Sequence, residues 1–268
     1  MMRTQLRGLN LSQERYLNKS TDDTYLEFCK KSKTTPNSIT LSTGRKAHWI
    51  GRPDAKTTLV FFHGGGYALP ATLFHFEFIN NLIGALNANG QDISVLFLGY
   101  SLAPEHPFPQ QLIEATSLLK YLLNDLSRSP SSLVLAGDSA GGNIALSVLS
   151  HLLHPHPAVE KLEISEPFRG AVLLSPWVSF RSDDDSVRTN AQSDCFDSVP
   201  LHRWSHAFMG TVPEKGIDAI GDPWSEARRA PPSWWRGMDR IVQQVLIWSG
   251  GGEILIGKWI SSSMYSRV

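Results

Sequence analysis

The sequence is poor in cysteine, has no excess of charge of either sign, and contains no long apolar run. Its 268 residues include only Cys29 and Cys195, too few and too far apart for a disulfide framework, which points to a reducing compartment. Lysine plus arginine and aspartate plus glutamate number 25 each, so neither a nucleic acid nor an anionic membrane is expected as partner. No apolar stretch approaches the roughly 18 residues a membrane span needs. The first ten residues carry Arg3 and Arg7 with no apolar segment behind them, which argues against a secretory signal. Together these absences predict a cytoplasmic globular protein with no membrane span. Internal repeats and low-complexity tracts are also missing.

What is present is an alternation of textures. Leu11, Tyr16, Leu17, Tyr25, Leu26 and Phe28 recur at helical spacing until Pro36 interrupts. Short β-rich runs follow at 46–50, 57–62, 93–98, 132–136, 171–174 and 244–248. Several are continuously apolar, as strands buried on both faces are. Helix-like stretches at 73–87, 109–126 and 142–153 lie between them. Strands alternating with helices predict an α/β, doubly wound, mostly parallel sheet. Residues 181–239 break the rhythm with Trp204, Phe208, Met209, Trp224, Trp234 and Trp235. An insertion of that length can be a lid or substrate wall, a peripheral helical unit with its own small core, or both.

The chemistry concentrates in two glycine-rich turns. Gly137-Asp138-Ser139-Ala140-Gly141 joins the run ending at 136 to the stretch beginning at 142. In that context a G-x-S-x-G pattern is a nucleophile elbow, a tight strand-to-helix turn that lifts the Ser139 hydroxyl out of the sheet. Glycines are needed where a side chain would strike strand or helix, and the helix N-terminus brings free N–H groups and positive potential to the serine. The bland alternative is a strand–turn–helix with a satisfied serine. The second turn, His63-Gly64-Gly65-Gly66-Tyr67, follows the run 57–62. Acyl transfer passes through an oxyanion that needs backbone donors, and successive glycines let the main chain approach it. Gly65, Gly66 and the N–H of Ala140 are the expected donors, with Gly64 the adjacent alternative. A phosphate-cradling loop would want a Lys and a Ser or Thr at its end, where this chain has Tyr67 and Ala68. His63 is read as structural, because in such a fold the base comes last in the chain.

These two motifs, with the stretch Tyr100-Ser101-Leu102-Ala103-Pro104-Glu105-His106-Pro107-Phe108-Pro109 between them, resemble the hormone-sensitive-lipase-like branch of the α/β-hydrolases over residues 45–255. The resemblance implies carboxylester hydrolysis without cofactor or metal, a small-molecule ester as partner, and a helical cap built from residues 1–36 and 181–239 of a single domain. Trp234-Trp235-Arg236-Gly237 is similar to fungal members of this branch, some of which de-esterify polyketide intermediates, so small or acetyl esters of a secondary metabolite are the expected substrates. The family's acid follows the strand at 244–248 as Asp or Glu before x-Leu; Glu253-Ile254-Leu255 fits, with Asp239 as the alternative acid.

The base is missing from the pattern. The nine histidines are His48, His63, His75, His106, His151, His154, His156, His202 and His206, and none follows Glu253. The family pattern fades at Gly257, and its last strand and helix are absent before Val268. Without the histidine a catalytically dead, ligand-binding pseudo-hydrolase is the alternative reading, as in plant hormone receptors of this branch; amide hydrolysis by the same machinery is a third. His202 and His206 are candidate substitutes from the cap. The clustered His151, His154 and His156 read as a helix end rather than a metal site, and Asp183-Asp184-Asp185 as a solvated loop. Gly257-Lys258-Trp259 can be encoded by GGT AAG TGG, which contains the intron donor sequence GTAAGT. Two readings of residues 257–268 compete: the end of a natural degenerate or truncated product, or, as this donor suggests, intron translated in place of the next exon. Sequencing the transcript past codon 257 is expected to find a downstream exon encoding a histidine; the absence of both donor and exon would contradict this.

Overall fold

Each apolar run serves two faces of one sheet. The computed structural model describes residues 8–257. Seven strands, β1 (Ser38–Thr40), β2 (Lys46–Ile50), β3 (Thr57–Phe62), β4 (Ile93–Leu98), β5 (Leu133–Asp138), β6 (Gly170–Leu174) and β7 (Val245–Trp248), lie in the order β1-β2-β4-β3-β5-β6-β7. β1 is antiparallel to β2 and β2 to β4, and the pairings from β4 through β7 are all parallel. Helices flank it: α1 (Leu11–Tyr16), α2 (Thr21–Ser32), α3 (Leu73–Ala88), α4 (Gln110–Lys120), α5 (Ala140–Leu153), α6 (Asp185–Thr189) and α7 (Ser198–Met209).

Side chains alternate across a strand, and here both destinations are apolar. Leu59 and Phe61 of β3 and Val95 and Phe97 of β4 join Tyr25 and Phe28 of α2 and Phe76, Ile79 and Ile83 of α3. The intervening Val60, Phe62, Leu96 and Leu98 point the other way, into a core with Leu112, Leu118 and Leu119 of α4 and Ile144, Val148 and Leu149 of α5. Pairing in register, Phe61 against Phe97 and Phe62 against Leu98, keeps the two sets apart. This is why the runs look continuously hydrophobic.

The structure refines several boundaries. β5 continues to Asp138 and α5 starts at Ala140, so Ser139 alone separates them. The stretch 109–126 is α-helical only to Lys120 and widens into a π turn at Tyr121–Asp125. β1, three residues long, carries too short a period to be seen in sequence. Trp204 and Phe208 of the 181–239 segment belong to the same core as α4 and α5, which excludes the separate small core. The N-terminal helix reaches this segment: Glu14 accepts a hydrogen bond from Trp204 Nε1 at 3.1 Å and pairs with Arg203. Burial raises the Glu14 pKa despite both partners. β7 is the outer strand among the described residues and leaves Leu246 and Trp248 exposed. Apart from Gly257, the divergent tail lies outside the described residues.

Phe97 is fully buried between Phe61, Phe76 and the ring of His63, at centroid distances of 5.4, 4.5 and 5.8 Å. Phe97→Ala is expected to cost about 3–5 kcal/mol of unfolding free energy, read from urea denaturation; a loss under about 1 kcal/mol would contradict this packing.

Candidate active site

Ser139 sits at φ 50°, ψ −118°, a region that strains a residue with a Cβ by about 1–3 kcal/mol. Three backbone bonds hold it there. Its N–H donates to Leu174 O at 2.8 Å, and its carbonyl accepts from Trp177 N at 2.9 Å and Asn143 N at 3.2 Å. Its side chain makes no hydrogen bond to cap α5, and among the described residues its hydroxyl has no hydrogen-bond partner. The turn lies directly on the end of β3. A Cβ at Gly141 would stand 1.9 Å from Phe62 O and 2.6 Å from His63 O, and one at Gly137 would meet Gly141 at 2.4 Å. Only glycine permits these approaches.

The second turn is fastened to the first. Gly64 N donates to Asp138 Oδ1 at 2.9 Å. Among the described residues the N–H groups of Gly65, Gly66 and Ala140 have no protein acceptor. Gly64 is therefore the residue that anchors the loop, and the unengaged donors are the other three. Gly65 and Gly66 take φ +107° and +59°, and a Cβ on Gly66 would strike the Trp204 ring at 2.4 Å. His63 is buried, bonds Gly64 O through Nδ1 at 2.6 Å and stacks on Tyr100 at 4.2 Å. Burial, with His75 nearby, drives its pKa to about 3, so it is a neutral structural ring. Tyr67 stacks on Phe208 at 3.6 Å and accepts from Asn143 Nδ2 at 2.8 Å.

Sequence reasoning passed over His75. It lies in the first turn of α3 with Nε2 3.5 Å from Asp138 Oδ2. Burial works against its protonation, but Asp138 outweighs burial and raises its pKa. Burial likewise opposes ionisation of Asp138, and the His75 and Gly64 contacts bring its pKa below the ordinary range. The only available signal was a histidine three residues after a capping Thr72.

Glu253 follows β7, at the same carboxyl edge of the parallel sheet as Ser139, with β6 between their strands. That edge is where ligands bind in open α/β sheets. Its Oε1 accepts from Gly250 N at 2.8 Å, and the loop is tied down by Asp194, which accepts from Ile254 N at 2.7 Å, and by Asn190 Nδ2 on Glu253 O at 2.8 Å. Asp239 lies in the turn Met238–Arg240, before β7 rather than after it. His202 Nε2 donates to Glu214 O and Ile217 O, and His206 donates to Ile217 O through Nε2 and bonds Thr211 Oγ1 through Nδ1. His154 bonds Trp234 O and His151 bonds Glu160 O. Among the described residues no histidine bonds Ser139, and no group of His, Cys, Asp and Glu is arranged to hold a metal. Asp183, Asp184 and Asp185 pair with Arg181, Arg228 and Arg188.

With elbow and loop in place, the sequence profile of the family described as alpha/beta hydrolase fold matches residues 59–256, and the chain belongs to that family. An acetyl-hydrolase of Streptomyces hygroscopicus is 32% identical over 174 residues, covering 62% of this chain and 52% of the relative. Steryl acetyl hydrolase 1 of Saccharomyces cerevisiae is 28% identical over 181 residues, 64% of this chain and 39% of the relative. The chain thus spans about half or less of the curated relatives it matches. An esterase from the bacterial hormone-sensitive lipase family superposes with a TM-score of 0.64 at 24% identity, over 96% of this chain and 78% of that one, which is a likeness of fold.

Because no side-chain bond is lost, Ser139→Gly is expected to release backbone strain and stabilise the protein by about 1 kcal/mol or more, while Ser139→Ala, which retains a Cβ, leaves stability nearly unchanged. Denaturant midpoints check this; equal midpoints for the Gly and Ala variants would contradict it.

Proposed function

We propose that the protein is a serine carboxylesterase acting on small or acetyl esters through an acyl-enzyme. Ser139 Oγ attacks the ester carbonyl, the N–H groups of Gly65, Gly66 and Ala140 receive the oxyanion, the C–O bond breaks with the serine's proton passing to the departing alcohol, and water then adds to the acyl-enzyme, releasing the acid and returning a proton to Ser139 Oγ. The observation that carries this reading is the trio of unengaged N–H groups beside a strained serine with a free hydroxyl. Glu253 is the acid, oriented to steady an imidazolium. The 1–36 and 181–239 pieces form the cap, and Trp204 over Gly66 forms a wall of the substrate space. The printed names of the Streptomyces and yeast relatives favour acetyl esters; a secondary-metabolite alcohol is the proposed leaving group. Free Cys29 and Cys195 and the absence, among the described residues, of any helix able to cross a membrane support a cytoplasmic location.

Among the described residues each histidine other than His106 has a hydrogen-bond partner elsewhere, and none bonds Ser139. Loss of a triad member leaves about 10³–10⁴-fold acceleration over water, so turnover is a blunt test for this chain. Covalent labelling is sharper. A fluorophosphonate is expected to modify the peptide containing Ser139, faster with added imidazole, and to leave Ser139→Ala unlabelled at that peptide. No adduct on Ser139, or equal adducts on other serines, would overturn the reading.

A further inference from the structure

The Gly64–Asp138 bond that holds the oxyanion loop has a third member, His75, which the proposed chemistry does not use. The three residues come from three elements: the end of β3, the end of β5 and the start of α3. Asp138 divides its carboxylate. Oδ1 accepts from Gly64 N at 2.9 Å, and Oδ2 stands 3.5 Å from His75 Nε2. A Cβ on Gly64 would lie 2.2 Å from Oδ2, so the carboxylate is packed flat against the loop.

The tautomer of His75 follows from its other nitrogen. Nδ1 is 3.0 Å from Thr72 N and 2.9 Å from Thr72 Oγ1. A backbone N–H can only donate, so Nδ1 is the acceptor and the ring proton resides on Nε2, facing Asp138. Thr72 is in turn fixed as the residue preceding α3, with His75 N donating to Thr72 O at 3.1 Å. The side chain is mostly buried, with 17% of its surface exposed. His63, edge-on at a centroid distance of 6.0 Å, completes the surroundings and stays neutral. Asp138 carries negative charge one residue from the serine at which an oxyanion would form. An N–H 3.5 Å from its second oxygen offsets part of that charge and favours one orientation of the carboxylate.

We infer that His75 is a positioning residue of the oxyanion loop: through Asp138 it fixes the Gly64 N–H, leaving the next two N–H groups turned toward the serine. This rests on the acyl-transfer reading for its consequence, but its geometry is independently observable.

The test uses the full chain labelled with ¹⁵N and three variants, His75→Ala, His75→Gln and Asp138→Asn. The Gly64 amide signal and the fluorophosphonate reaction at Ser139 are read together. An amide bonded to a carboxylate resonates downfield; His75→Ala and Asp138→Asn are expected to move it upfield. The maximal labelling rate should fall about tenfold in His75→Ala, the scale of one lost positioning interaction, with the half-saturating reagent concentration unchanged. His75→Gln, which keeps an N–H donor of similar reach, should restore both. An unchanged Gly64 amide and labelling rate in His75→Ala, or no restoration by Gln, would overturn the inference. If His75→Ala does not fold, the histidine ¹⁵N spectrum of the unsubstituted chain decides: a proton on Nε2 supports the assignment, and a proton on Nδ1 alone overturns it. Failure of Ser139 to label in the unsubstituted chain would instead defeat the esterase reading, leaving the Gly64 amide comparison to judge His75.

Discussion

The structure depends on one close approach: the first turn of α5 lying on the end of β3 with no side chain between. Phe62 O and His63 O occupy the space that a Cβ on Gly141 would need. That contact sets the elbow and the glycine loop side by side. The strain at Ser139 is held by bonds to β6 and to the segment after it, and the loop is held by Asp138. Backbone donors arranged by a rigid scaffold are worth more than flexible ones, because no reorganisation is needed when charge develops.

The surrounding layers explain how so tight a contact is supported. Two apolar faces sandwich the sheet, and α5 is buried from Ala140 through His151. From above, Trp204 covers Gly66 and Phe208 stacks on Tyr67, so the inserted segment presses on the loop directly. Glu14 adds the N-terminal helix to the same assembly through Trp204 and Arg203. A change in any of these layers would be transmitted to the N–H groups of Gly65 and Gly66 through packed contacts.

Much of this was legible in the residues. The strands were visible because both faces are apolar, and the elbow because glycine and serine stand at fixed spacing between a strand and a helix. Glu253 was visible only through the family pattern; its own surroundings are ordinary loop bonds. Gly64 could not be told from Gly65 and Gly66 by sequence, since what separates them is a hydrogen bond to a residue 74 positions away. His75 was hidden for the same reason: its partner is brought to it by tertiary structure, and locally it reads as a residue of a helix start. The role of Trp204 and Phe208 was undecided in sequence because composition does not say which core an aromatic joins.

The most direct test of the account is a crystal structure of the full chain phosphonylated on Ser139. The account predicts the phosphoryl oxygen about 2.7–3.1 Å from the N–H groups of Gly65, Gly66 and Ala140, with Gly64 still bonded to Asp138. An oxygen directed to other donors, or a Gly64 N–H that has left Asp138 to reach it, would contradict the account.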